Sequence, residues 1–174
     1  MRVHAAALVF VVFVAGCSLS RPESGYMPSA TLKDIMESTI DPNATAVWQA
    51  VATTVDENGT HEKFPQSDDE WETLREHTIT LMEATNLLLI PGRHIARPGE
   101  KAEDPLTDLE PDVVEAMVNR DRENWVRFAR GLHDSVQETL KAVEAKNPSA
   151  ILEVGGTIDQ ACENCHQKFR YKGK

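Results

Sequence analysis

The sequence predicts an all-α protein. From Thr31 onward, apolar residues recur at spacings of three and four, which is the period of an amphipathic helix. No stretch beyond that residue shows the alternation of apolar and polar residues that is typical of a half-buried strand. The chain has 174 residues and a hydrophobic content of 41%, which suffices for the core of one ordinary domain. We therefore expect a single helical domain over residues 31–174.

The first two predicted helices come from separate apolar stripes. The stripe over residues 31–55 is interrupted at Pro42, so we expect a first helix that is broken or kinked there, with Asp41 capping its second part. A polar loop follows. The next stripe predicts a second helix over about residues 69–90, and Pro91 with the glycine after it ends this helix.

A long connection separates the second helix from the third. Residues 91–110 are rich in proline and glycine, and so long an irregular segment inside a compact domain usually wraps the fold or serves its function. A third helix is expected over about 110–146, and Pro148 begins a fourth that carries the C-terminus. Gly155 and Gly156 weaken that last helix, which predicts that another group approaches its backbone closely.

The most specific motif is Cys162-Glu163-Asn164-Cys165-His166, near the C-terminus. The pattern C-x-x-C-H attaches haem covalently, because two thiols add to the haem vinyl groups and the next imidazole ligates the iron. On a helix, positions i, i+3 and i+4 share one face, so both cysteines and the histidine can address one flat macrocycle. We expect one haem c per chain.

Two other interpretations of this motif lack support in the sequence. A redox-active C-x-x-C pair expects a βαβ context, which the helical periodicity does not provide. A structural zinc site needs a fourth ligand, and the chain has no second C-x-x-C and no H-x₃₋₅-H.

The N-terminus has the character of an export signal over residues 1–16. Arg2 precedes an apolar run that is too short to span a bilayer. The run closes in V-A-G-C, which resembles the lipobox of bacterial lipoproteins, with Cys17 as the acylated residue. An ordinary signal peptide is the alternative, but it would leave an unexplained third cysteine. We expect a lipidated, flexible tether over residues 17–30 that anchors the domain to a membrane in the bacterial periplasm.

Charge and motif content restrict the functions that remain. A net charge of −10 argues against a nucleic-acid partner. If the protein docks to an exported redox partner, that partner should present a basic patch, although solubility alone also explains the charge. The sequence contains no catalytic triad, paired catalytic carboxylates or phosphate loop, so we do not expect an enzyme. The oligomeric state is open, with a homodimer as one option.

Four amphipathic helices that end in this motif resemble the cytochrome c′ family. The segment from Cys162 to Arg170 fits the family's ending C-x-x-C-H-x-x-[FY]-R, and Met36 lies on the first helix. The resemblance implies an up-down four-helix bundle with haem attached to the last helix. It also implies that His166 is the proximal iron ligand and that Arg170 lies beside the proximal haem face.

Two functions follow from this resemblance, and Met36 separates them. If its thioether is the sixth iron ligand, the protein is a membrane-anchored carrier of single electrons. If Met36 only fills space in the core, the iron is five-coordinate and binds small gases such as NO or CO. We expect electron transfer.

A few further side chains have expected positions. Arg93 and Arg97 in the long connection are candidate partners of the haem propionates, because carboxylates favour guanidinium forks. Trp48, Trp71 and Trp125 lie on apolar stripes and are expected in the core.

Overall fold

A computed structural model describes residues 25–173 of the chain, so the predicted signal, Cys17 and most of the predicted tether lie outside the described residues. The elements in chain order are α1 (Leu32–Ile35), a π-helical turn (Met36–Ile40), α2 (Asp41–Ala50), β1 (Ala52–Asp56), β2 (Gly59–Lys63), α3 (Asp68–Leu87), α4 (Pro111–Arg120), α5 (Arg122–Glu144) and α6 (Pro148–Phe169). Within the described part of the chain, none of these helices is both long and apolar enough to cross a bilayer.

The helices form a four-helix bundle, which confirms the predicted fold class. α1, the π-helical turn and α2 run on as one N-terminal helix that packs on α3; α3 packs on α5, and α5 packs on α6. Each of the four helices of the bundle places a fully buried side chain in the core; examples are Val47, Leu81, Val136 and Ile158. Burying an aliphatic side chain of this size contributes about 1.5–3 kcal/mol. The core therefore runs along the bundle and fixes the spacing of its helices.

The N-terminal helix is not broken at Pro42, but it departs from α-helical geometry over Met36–Ile40, just before that residue. The helix continues through the π-helical turn, in which the Asp41 amide donates to the Met36 carbonyl. A proline ring inside an α-helix collides with the carbonyl four residues earlier, here that of Ser38. The wider π turn separates these groups. Asp41 also does not cap α2, because no side-chain hydrogen bond caps that helix.

A β-hairpin replaces the predicted end of the first helix. α2 ends at Ala50, and β1 pairs antiparallel with β2 so that Asp56 lies opposite Gly59. The run of Thr and Val in β1 favours extended backbone, and Val55, assigned above to a buried stripe, is 77% exposed. The prediction that the chain contains no strands was therefore wrong, although the hairpin lies outside the helical core.

The predicted third helix is two helices. Asp121 departs from helical geometry, with φ −120° and ψ 50°, and separates α4 from α5. Its carboxylate accepts a hydrogen bond from the side-chain amide of Asn124 (Nδ2) at 2.9 Å and pairs with Lys168 of α6 at 3.2 Å. These local partners stabilise the break. The second and fourth helices agree with their predicted bounds to within about three residues.

The glycine pair of α6 was predicted to be approached closely by haem or a neighbouring helix; no neighbouring helix fills the space beside these glycines, and the haem alternative stays a prediction. A Cβ atom added at Gly155 or Gly156 would meet no atom within 4 Å. The neighbouring contact is polar instead, since Trp48 Nε1 donates to the Gly155 carbonyl at 3.3 Å. That indole is 37% exposed, contrary to its predicted core position, whereas Trp71 and Trp125 are buried as predicted.

Candidate functional site

An apolar cavity lies between the N-terminal helix, the segment before α4 and the end of α6. Its volume is about 160 Å³, and it is partly open to solvent. Its wall is largely hydrophobic and includes Leu32, Met36, Ile95, Leu109, Val114, Trp125 and Phe169.

Four of the sequence-predicted site residues line this one cavity. Met36 comes from the N-terminal helix, and Cys165, His166 and Arg170 come from α6 and the residue that follows it. Cys162, one turn earlier on α6, is half-buried and packs against the core without lining the cavity. Residues about 130 positions apart are thus brought together by the packing of the first helix against the last. Their roles as ligands and attachment sites stay predictions.

The two motif cysteines are free thiols in a half-buried environment. Burial raises the pKa of the Cys165 thiol to about 12, with a contribution from Cys162. Burial also raises the pKa of Cys162 to about 11, and the carboxylates of Asp159 and Asp41 raise it further. Redox-active cysteines have the opposite property, a lowered pKa at a helix N-terminus, whereas this pair lies near the C-terminal end of α6.

His166 occupies an environment that favours its neutral ring. Burial lowers the pKa of the imidazole and the Arg170 charge lowers it further, while Glu163 and Asp108 act in the opposite direction. The neutral ring is the form that ligates a metal. Tyr171 packs edge-on against it, with ring centroids 5.9 Å apart. Among residues 25–173 there is no group of three or more His, Cys, Asp or Glu side chains that could hold a metal ion, so a protein-only zinc site is not formed there.

The segment that joins α3 to α4, residues 88–110, forms one wall of the cavity, and we call it the connecting loop. Its first half accepts hydrogen bonds from the start of α1, at 2.8 Å from the Leu32 amide to the His94 carbonyl. Its second half pairs with the C-terminus, since the Leu109 amide donates to Arg170 and the Lys172 amide donates to a loop carbonyl. These bonds satisfy backbone groups that a helix end leaves unpaired. The loop therefore joins both ends of the domain around the cavity.

The connecting loop also supplies a site residue that sequence reasoning missed. Asp108 is 4% exposed, lines the cavity, and accepts hydrogen bonds from Arg170 Nε at 3.1 Å and Nη2 at 2.9 Å. The exposed carboxylate of Glu103 accepts from the same Nη2 at 2.8 Å. In the sequence, Asp108 is one of several acidic residues in a polar segment, and no local pattern marks it as the buried one.

The two arginines expected near the haem propionates do not line the cavity. Arg93 donates to the carbonyls of Leu87 and Ala30, and Arg97 pairs with Asp34. The cationic residues that do line the cavity are Lys33, Lys101 and Arg170. Both guanidinium groups hold the connecting loop in place, and their role as propionate partners stays a prediction.

Comparison with known proteins gives only distant similarity. Two solved structures resemble the chain, both nitric oxide complexes of single-residue variants of cytochrome c prime from Alcaligenes xylosoxidans. They are 14% and 16% identical, and each match covers 82% of this chain and 98% of the other at a TM-score of 0.49. No family model and no curated protein matches the chain. At this level of similarity, neither a cofactor nor a function follows for this chain.

Proposed function

We propose that the protein is a c-type cytochrome that transfers single electrons between exported partners. One haem would be bound covalently through Cys162 and Cys165, with His166 as the proximal ligand and Met36 as the sixth. The observation that carries the proposal is the shared cavity: Met36 and His166, from opposite ends of the domain, line the same apolar space beside Cys165.

The residues around the cavity fit a haem chemically. A neutral imidazole and a thioether are the iron ligands of a histidine–methionine centre, the Cys165 thiol lies in the same cavity, and Cys162 one turn earlier would supply the second attachment thiol. The apolar wall suits the faces of a macrocycle. When bound, haem supplies a one-electron iron couple whose potential rises with histidine–methionine ligation. Trp125 and Phe169, both buried, pack edge to face at 5.5 Å and exclude water from this side of the site.

The location and partner belong to the same proposal. Lipidation of Cys17 would anchor the domain to a periplasmic membrane surface through the tether. The net charge of −10 favours a partner with a basic docking patch, because complementary charge steers encounter.

Haem attachment can be tested by maturation of the full chain in cells that carry the cytochrome c assembly machinery. After denaturing electrophoresis, the parent protein should retain haem-dependent peroxidase staining, and Cys162→Ser with Cys165→Ser should abolish it. Cys17→Ser is the matched control, since it should keep the stain but release the protein from membranes. An unstained parent chain, isolated after correct export, would refute the haem assignment.

Ligation by Met36 has a separate spectroscopic test. The oxidised parent should show the charge-transfer band of methionine-bound ferric haem at the far-red end of the spectrum, and Met36→Ala should remove it. Met82→Ala is the control, because Met82 is a half-buried methionine on α3 that does not line the cavity. If the parent lacks the band and takes up CO in its reduced form, the five-coordinate, gas-binding function replaces electron transfer.

A further inference from the structure

Asp108 is a buried carboxylate in the wall of the cavity, and a buried charge needs a compensating partner. Within residues 25–173 it is the one buried acidic residue, and it lines the cavity together with His166 and Arg170. Moving a carboxylate out of water costs several kcal/mol unless a cation and hydrogen bonds compensate. Here the cation is Arg170, and the Thr107 hydroxyl donates a further hydrogen bond to Asp108 Oδ1 at 3.2 Å.

Arg170 is held on two sides by carboxylates of the connecting loop. Asp108 accepts from Nε and Nη2, and Glu103 accepts from Nη2. The backbone adds to this arrangement, because Asp108 and Tyr171 form an isolated β-bridge and the Leu109 amide donates to the Arg170 carbonyl at 2.8 Å. The guanidinium therefore has a fixed position in the cavity wall, one helical turn beyond His166.

We propose that Asp108 is a positioning residue of the haem site, which fixes Arg170 on the His166 side of the cavity, cancels its charge there, and so lowers the reduction potential of the centre. This inference rests on the proposed function. Reduction removes one positive charge from the iron, so an uncompensated cation nearby favours the reduced state. In a site partly shielded from water, such a charge acts more strongly than it does on the surface.

The test is a potentiometric titration of the haem-loaded protein at neutral pH. Asp108→Asn keeps the shape of the side chain and removes its charge, while Glu103 still holds the guanidinium. We expect the midpoint potential to rise. Asp108→Asn combined with Arg170→Gln removes both charges, and its potential should return toward that of the parent. Glu103→Gln is the matched control, because its side chain is 67% exposed and solvent screens its charge, so its upward shift should be smaller.

Two results would overturn the proposal: a shift in Asp108→Asn no larger than that in Glu103→Gln, or a double variant that does not reverse the rise. If Asp108→Asn alone fails to fold, the double variant is compared with the parent. It removes the ion pair as a whole, so its potential should stay close to that of the parent, and a rise or fall larger than that of Glu103→Gln would refute the idea. A chain without covalent haem fails the peroxidase stain first, so failure of the proposed function is recognised separately.

Discussion

The β-hairpin of β1 and β2 and the connecting loop both interrupt the helical bundle, but only one of them is integrated into it. The hairpin strands are exposed apart from Ala52, and their ladder hydrogen bonds are made to each other. The connecting loop contributes buried Asp108 and apolar side chains to the cavity, and its backbone bonds reach α1 and the C-terminus.

The two segments differ in where their backbone hydrogen bonds are made. The hairpin satisfies its own backbone groups, so it can project from the bundle without other contacts. The loop lacks regular structure of its own, and it is ordered by partners that are distant in sequence. Changes in the loop should therefore disturb the cavity, and changes in the hairpin should not.

The largest expected effect on the free energy of unfolding comes from Trp125, which bonds to the connecting loop, compared with Trp48, which lies on α2 just before the hairpin. Trp125 is 5% exposed, and its Nε1 donates at 2.8 Å to the carbonyl of Leu88, the first loop residue. Trp125→Ala should lower the free energy of unfolding by about 3–5 kcal/mol, the usual cost of removing a buried aromatic side chain. Trp48→Ala, near the start of the hairpin, should cost about 1 kcal/mol because that indole is partly solvated. Urea unfolding measures both, and equal losses would contradict the contrast.

The next largest effect on the free energy of unfolding is expected from Asp108 in the connecting loop, compared with Asp56 in the hairpin. Asp108→Ala should cost about 2–3 kcal/mol, since it removes charge-assisted hydrogen bonds from a buried site. Asp56→Ala in the hairpin should cost much less, because its partner His61, at 3.1 Å, is exposed like Asp56 itself. Hydrogen exchange gives a local check, as the amides of Leu109 and Lys172 should exchange faster only in the Asp108 variant. Unchanged exchange there would mean that the pair does not hold the loop.

Low pH should destabilise the connecting loop because it protonates Asp108. Burial raises the pKa of Asp108, but the hydrogen bonds and charge of Arg170 outweigh it, so the pKa is below its ordinary value of about 3.9. A pKa that is lower in the folded state means that Asp108 adds stability above about pH 4, and that this contribution is lost as the pH falls through the folded-state pKa.

Urea midpoints measured at decreasing pH can test this dependence. Asp108→Asn should show a shallower loss of stability in acid than the parent. Asp56→Asn serves as the comparison: hydrogen bonds from Asn58 and then His61 also lower the pKa of Asp56, but its carboxylate is exposed and its effect on the curve should be small. Parallel curves for the parent and Asp108→Asn would count against the predicted linkage.

The smallest effect is expected from removing the hairpin. Replacing residues 52–63 by a short Gly-Ser link should change the free energy of unfolding by less than about 1 kcal/mol, because few contacts are lost and the closure entropy of a loop varies slowly with its length. Haem-dependent staining should be retained. Loss of the stain in a folded protein would show that the hairpin contributes to haem attachment.

The sequence predicted those features that depend on local pattern. Helical periodicity located the bundle helices, and the motif at Cys162 to His166 lies on α6 as its spacing required. Met36 lines the cavity, as its apolar stripe suggested, although the π-helical turn sets its register. The misses arose where a distant partner or an unusual turn decided the structure. Asp108 is buried because Arg170, 62 positions later, reaches it, and Asp121 ends a helix that the apolar stripe would have continued.

The π-helical turn at Met36–Ile40 amounts to one extra residue inserted into an α-helix. Since each residue turns an α-helix by about 100°, the insertion rotates everything before it relative to α2 by that angle. Leu32 and Met36 line the cavity in this rotated register. Deleting one residue from the turn would restore α-helical geometry and direct the start of the helix to another side of the bundle. The direction in which Met36 points is thus linked to the π-helical turn that lies just upstream of Pro42.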